Sequence, residues 1–242
     1  GQQTPTVIAQ IRNGEYLDKE YIKTAHALYD KYAPLESDPK LSREEKNIAM
    51  REWWKTHFDL LVQSGLTKKI MDEIVANRTL QMRAQTKEFF QKLDKAGIPL
   101  IIMSAAPEYM LAQYLRQEEC LLKNIYIIAN KMIFDDKDNF IGIAEPIIHS
   151  LNKYEVIVKD FPIFNKLEKR ENVLLIGDQI DDIGMIEGFQ YRTLLKIGFF
   201  NEQSPKINEK KIDNYLKNYD IVITGDPSFE YINNLLKEIF EI

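Results

Sequence analysis

The chain holds a single cysteine among its 242 residues. Cys120 therefore cannot form a disulfide within the chain, and a reducing, cytoplasmic setting fits. With no histidine near it in sequence, Cys120 reads as a small buried apolar residue rather than a nucleophile. No apolar run approaches the ~20 residues that span a bilayer, so no membrane association is expected. Residues 1–17 also lack a signal-peptide core. Only three histidines occur, His26, His57 and His149, too scattered for a zinc site. Basic excess is missing as well: Lys+Arg 32 against Asp+Glu 37 gives a net charge of -5. That argues against a nucleic-acid polymer as partner while leaving room for a local basic pocket. Internal repeats and low-complexity tracts are absent.

What is present is ordinary globular material, 45% hydrophobic and 29% charged, enough for one substantial core and a smaller appended unit. Residues 14–80 read as successive helices. Tyr21, Ala25, Leu28 and Tyr32 share one face of a helix over Asp18–Tyr32. Ser42-Arg43-Glu44-Glu45 is a capping box opening a second helix that runs to about Gly65, and a third spans Thr67–Asn77. From residue 84 helices and apolar strands alternate: a helix over 84–96 closed by Gly97, a strand over Ile98–Met103 and a helix over 107–118. A strand over Asn124–Asn130 and a hairpin-like stretch to Ile143 follow, then helices over 152–160, 181–188, 206–217 and 228–240. Among these last come strands Val173–Ile176, Arg192–Ile197 and Asp220–Ile223. This pattern predicts an α/β fold with a parallel sheet, in which ligands bind beyond the carboxyl ends of the strands.

Three strand-end or helix-start positions carry chemistry. Ser104, after Leu100-Ile101-Ile102-Met103, can offer its hydroxyl to an oxyanion or simply cap a helix. Leu174-Leu175-Ile176-Gly177-Asp178 with Asp182 gathers carboxylates suited to Mg²⁺, or serves a helix N-terminus. Lys153, after Asn152, offers a compact charge to a phosphoryl group, though a lone lysine is commonly a solvated one.

In this order, hydroxyl, lysine and Gly-Asp-x-x-x-Asp resemble motifs II, III and IV of the haloacid dehalogenase superfamily. Further segments resemble its cytosolic pyrimidine 5'-nucleotidase (type III) family. These are Tyr32-Ala33-Pro34-Leu35-Glu36-Ser37-Asp38-Pro39, Glu52-Trp53-Trp54 with Thr56-His57, Phe89-Phe90, Ile148-His149, Leu195-Lys196-Ile197-Gly198-Phe199 and Tyr219-Asp220-Ile221-Val222. The resemblance covers residues 14–240. It implies a Rossmannoid parallel-sheet core over 83–242, a helical cap over 14–82 inserted near the N-terminus, and a short leading segment over 1–13. It also implies Mg²⁺-dependent hydrolysis of pyrimidine nucleoside 5'-monophosphates to nucleoside and phosphate. By that resemblance Asp178 binds the metal, Asp182 is the second acid of its motif, and Lys153, Ser104 and Ala105 contact phosphate. Glu36 recognises the base and Thr56 contacts substrate.

One motif of that family has no counterpart. Its Asp-x-Asp-x-Thr supplies the nucleophile and general acid, yet the segment before Glu15 contains no acid. Phe134-Asp135-Asp136-Lys137-Asp138 imitates it but reads as a turn. Departures elsewhere include Ala106, Gln179 and Gln85, where Gly, Ser and Gly are usual; a side chain at 85 would crowd a phosphate. Two readings follow. In one, a native segment carrying the motif precedes residue 1, and this chain by itself is inactive. In the other, the chain is a degenerate relative that binds a nucleotide or a protein. A central strand left out would strand buried amides at ~1–3 kcal/mol each, which favours the first. The slot would be filled by the missing segment, by a protein partner, or by Thr6–Ile11 as a makeshift strand.

Overall fold

The computed structural model of the chain describes residues 6–153, 163–167, 169–201, 209–225 and 228–240. Its contacts divide the chain into two compact units. One is built from the chain up to Met82 together with Leu100–Leu151; the other comprises Arg83–Pro99 and the chain from Asn152 on. Among the described residues no helix is long and apolar enough to cross a membrane.

The first unit begins with α1 (Val7–Asn13), α2 (Lys19–Ser37), α3 (Arg43–Gln63) and α4 (Lys68–Ala76). Thr6–Ile11 is thus not a strand. The Thr6 hydroxyl accepts from Ala9 N, and Ile8 and Ile11 fall on the one helical face that enters the core. Asp18 caps α2 through Tyr21 N, and Ser42 with Glu45 forms the expected capping box on α3. α2 runs past Tyr32 and through Pro34 to Ser37, so Glu36 lies in its last turn. β1 (Leu100–Pro107) pairs in parallel with β2 (Ile125–Asn130), linked by α6 (Glu108–Gln117). β3 (Met132–Phe134) and β4 (Phe140–Ile143) form an antiparallel hairpin. At its turn the Asp135 carboxylate accepts from Lys137 N and Asn139 N, and Asp138 sits at φ 61°, so the acidic tract is turn chemistry. The core joins Ile8, Ile11, Tyr21, Phe58, Leu61, Met71, Met110 and Phe140.

The second unit starts with α5 (Thr86–Lys95) and continues through α7 (Phe164–Leu167) into β5 (Asn172–Gly177), β6 (Thr193–Phe200) and β7 (Ile221–Thr224). These strands form a parallel sheet in the order β5-β6-β7, flanked by α8 (Glu209–Asn218) and α9 (Glu230–Phe240). Where a helix over 181–188 was expected, Ile180–Ile186 forms a 3-10 turn. The helix expected over 152–160 lies, from residue 154, outside the described residues, as do residues 206–208 ahead of α8. Phe229 links α5 and β6, its ring 5.0 Å from Phe89 and 5.3 Å from Phe199.

Gln85 explains itself here. It opens α5 at φ 64°, ψ 8°, the left-handed region in which a side chain is strained. A glycine suits this position for its backbone freedom; Gln85 itself is exposed. Its carbonyl accepts from Asn233 Nδ2 at 3.1 Å, a bond any residue keeps. Gln85→Gly should therefore raise stability by about 0.5–1 kcal/mol, read as a small rise in Tm.

Two buried imidazoles set an acid limit on the first unit. His57 Nε2 lies 3.0 Å from the buried Tyr21 hydroxyl. Burial, then the Arg12 charge, pulls its pKa from 6.5 to about 4, and burial with Arg51 does the same for His149. Unfolded chain takes protons on both rings below about pH 6.5, whereas folded chain resists until about pH 4, so stability falls as pH drops through that window. Between pH 7 and pH 5 the chain should lose up to about 2 kcal/mol per ring in urea melts. His57→Gln should remove about half of that pH dependence, and a flat profile would contradict neutral burial.

Candidate functional site

In the second unit the predicted acids and lysine come together around the end of β5. Gly177 closes the strand, and the chain turns through Asp178 and Gln179 into the 3-10 turn that carries Asp182. The Asp182 carboxylate folds back over this turn. Its Oδ2 accepts from Asp178 N at 2.9 Å and Gln179 N at 3.0 Å. Its Oδ1 accepts from Lys153 Nζ at 2.6 Å. Both side chains are largely withdrawn from water, 14% exposed for Lys153 and 4% for Asp182. Such a pair is held by fixed geometry, because a buried carboxylate is tolerated only when its lone pairs are filled.

Glycine at 177 is obligatory for this fold-back. A Cβ there would lie 2.6 Å from Asp182 Cβ and 2.7 Å from the Tyr219 hydroxyl oxygen. Gly198, its register partner on β6, would in turn place a Cβ 2.6 Å from the Tyr219 ring. The two glycines clear a floor on which Tyr219 lies. From there its hydroxyl donates to the Gln179 carbonyl, while Tyr215 donates to the Asp178 carbonyl at 2.6 Å. The rings of Tyr215 and Tyr219 stack 5.7 Å apart. Two hydroxyls thus hold the backbone of the acidic turn from one side, and Asp182 holds it from the other.

Asp178 itself is exposed. Its Oδ2 accepts from Asn201 Nδ2 at 3.0 Å, and Asn201 Oδ1 accepts from Arg83 at 2.6 Å. Desolvation by the atoms packed around it, followed by the Asp182 charge, raises its pKa, with Lys153 and Arg83 opposing. Among the described residues no group of three or more His, Cys, Asp or Glu side chains forms a metal cage. One carboxylate completed by waters and phosphate oxygens is nevertheless how Mg²⁺ is commonly held, so the donor set fits that ion.

The remaining predicted residues lie in the first unit. The Ser104 oxygen accepts from Ala106 N at 3.1 Å, and β1 runs on to Pro107 instead of stopping at the serine. The hydroxyl is therefore engaged as an acceptor, and its proton stays available for donation. The Ala105 carbonyl accepts from Asn130 Nδ2 at 2.7 Å; the same buried amide also bonds the Ile148 carbonyl and N–H. Glu36 accepts from the Ser150 hydroxyl. Thr56 is exposed on α3, beside buried His57. Trp53 stacks on Tyr32 at 6.1 Å with an interplanar angle of 10°, and Trp54 packs against Phe58. Sequence reasoning missed Asn130, Asn201, Arg83 and Tyr215, and nothing in their local sequence marks them.

Removing one partner of the Lys153–Asp182 pair leaves a buried charge uncompensated. Lys153→Met should cost about 2–3 kcal/mol in urea unfolding, and adding Asp182→Asn should recover about half of it. Strict additivity of the two changes would show that the pair is not coupled.

Residues 1–240 match the protein family described as Pyrimidine 5'-nucleotidase (UMPH-1). The 7-methylguanosine phosphate-specific 5'-nucleotidase A of Xenopus laevis is 33% identical over 238 residues, covering 98% of this chain and 81% of that protein. The 7-methylguanosine phosphate-specific 5'-nucleotidase of Homo sapiens is 32% identical over 240 residues, covering 99% and 79%. Among solved structures, cytosolic 5'-nucleotidase IIIB bound to cytidine matches with a TM-score of 0.87 at 28% identity, covering 100% of this chain and 79% of that one. A probable phosphoserine phosphatase from Vibrio cholerae shares the fold alone, with 14% identity, a TM-score of 0.56, and 92% and 58% coverage. The strand-end acids, the parallel ladders and these likenesses agree: the chain belongs to the pyrimidine 5'-nucleotidase (UMPH-1) family of nucleotide phosphohydrolases, built on the haloacid dehalogenase fold.

Proposed function

We propose that the chain binds a nucleoside 5'-monophosphate with Mg²⁺ and contributes the phosphate- and metal-binding part of a phosphomonoester hydrolase. The observation that carries this reading is the Lys153–Asp182–Asp178 cluster at the end of β5, where an ammonium is anchored beside an accessible carboxylate. Asp178 would hold the ion, which when bound supplies charge neutralisation on the phosphoryl oxygens. Lys153 adds a fixed positive charge to the same group, and Asp182 sets its direction. Ser104 donates its free hydroxyl proton and Ala105 its backbone amide to phosphate oxygen, each argued from its own strand end.

Base recognition is assigned to Glu36 and Thr56, with residues 14–82 acting as the cap. Pyrimidine monophosphates are the first substrate class by family. A 7-methylguanosine monophosphate is the second, favoured by the names of the relatives above and by the Trp53–Trp54 pair, since a cationic base gains from an indole face. A cytoplasmic setting is proposed as well, supported by the likeness to cytosolic 5'-nucleotidase IIIB.

Turnover needs an attacking acid, and residues 1–242 contain no Asp-x-Asp-x-Thr. The 242-residue chain should therefore bind cytidine 5'-monophosphate in calorimetric titrations with Mg²⁺ and release no phosphate. Asp178→Asn should weaken that binding by about tenfold or more. Placing an Asp-x-Asp-x-Thr strand upstream should start phosphate release if the chain is the body of an enzyme. Continued silence would favour a nucleotide- or protein-binding relative, and equal binding by Asp178→Asn would sink the site. Running 7-methylguanosine 5'-monophosphate in parallel ranks the two bases.

A further inference from the structure

We infer that Asn201, backed by Arg83, is the positioning residue that sets the orientation of the Asp178 carboxylate; this rests on the reading of Asp178 as a cation ligand. Three side chains form a directed hydrogen-bond chain. Arg83 donates to Asn201 Oδ1 at 2.6 Å, and Asn201 Nδ2 donates to Asp178 Oδ2 at 3.0 Å. The direction is forced by chemistry. A guanidinium can only donate and an ionised carboxylate can only accept, so the amide has one allowed orientation between them.

The consequence for Asp178 is geometric. With Oδ2 engaged by Asn201, rotation of the carboxylate about its last bond is restrained, which leaves the second oxygen for coordination. Polarisation runs the same way, because a donor on Asn201 Oδ1 strengthens donation from its Nδ2. Arg83 is itself steered, its guanidinium lying 4.3 Å from the centre of the Phe199 ring. Asn201 directly follows β6 and Arg83 precedes α5, so two separate elements converge on one carboxylate. The Tyr215 hydroxyl fixes the Asp178 backbone independently, which leaves Asn201 the side-chain rotamer alone.

Mn²⁺ is the probe, titrated into the 242-residue chain and followed by electron paramagnetic resonance of the free ion. Asn201→Ala should raise the Mn²⁺ dissociation constant by about tenfold, with the unfolding midpoint in EDTA almost unchanged. Arg83→Met should weaken binding in the same direction, and Arg83→Lys should restore most of it by keeping a cationic donor. The Arg83 pair carries the test if Asn201→Ala does not fold. Mn²⁺ binding lost in Asp178→Asn but intact in Asn201→Ala and Arg83→Met would overturn the positioning role alone. Weakening matched by a large drop of the EDTA midpoint would overturn it as well, marking a purely structural contact. Binding that ignores Asp178→Asn, or is absent from the unsubstituted chain, would overturn the cation reading and this inference with it.

Discussion

Asp182 is the constraint on which the site depends. A carboxylate this deeply buried must fill its lone pairs, and it does so with two backbone amides and one ammonium. Those three bonds explain three features at once. The chain after β5 turns tightly enough to aim Asp178 N and Gln179 N at one oxygen. Ile180–Ile186 then winds as a 3-10 turn, keeping Asp182 above its own loop. Lys153 is drawn in from a distant stretch of chain and held with most of its surface covered.

The same constraint reaches into the sheet. Because Asp182 folds back over Gly177, no side chain can stand there, and the space continues across the ladder to Gly198. Tyr219 fills it from the segment before β7, and Lys196 N donates to Asp220 beside it. The Gly-Asp of one strand, the Ile-Gly-Phe of the next and the Tyr-Asp of the third are thus parts of a single packing arrangement. A side chain at either glycine would push Tyr219 off the floor and release the Gln179 carbonyl it holds.

Much of this was legible because the chemistry is written in short spacings. Gly177, Asp178 and Asp182 lie within one turn, and alternating apolar strands and amphipathic helices announce parallel pairing. The residues that escaped notice act over long separations. Asn201 is 23 positions from Asp178, and Arg83 is 118 from Asn201. Neither carries a local pattern, and an asparagine after a strand is common. Thr6–Ile11 shows the opposite failure. A short apolar run cannot choose between strand and helix by periodicity, and a threonine cap settled it. Gln85 stands out in the sequence as a side chain, but its left-handed backbone angle could not be read there.

Charge balance ties the proposed reading together. Asp178 and Asp182 bring two negative charges, Lys153 one positive, and Arg83 a second positive held one amide away. The cluster is near neutral by itself, which a partly desolvated site can sustain. Adding a phosphate dianion leaves it two charges negative, an excess that grows costlier as water is excluded. On the proposed reading, a divalent ion at Asp178 would cancel that excess, whereas a second lysine would cancel only half. On that reading, phosphate and divalent metal would each strengthen binding of the other, with the coupling carried by the orientation of one carboxylate.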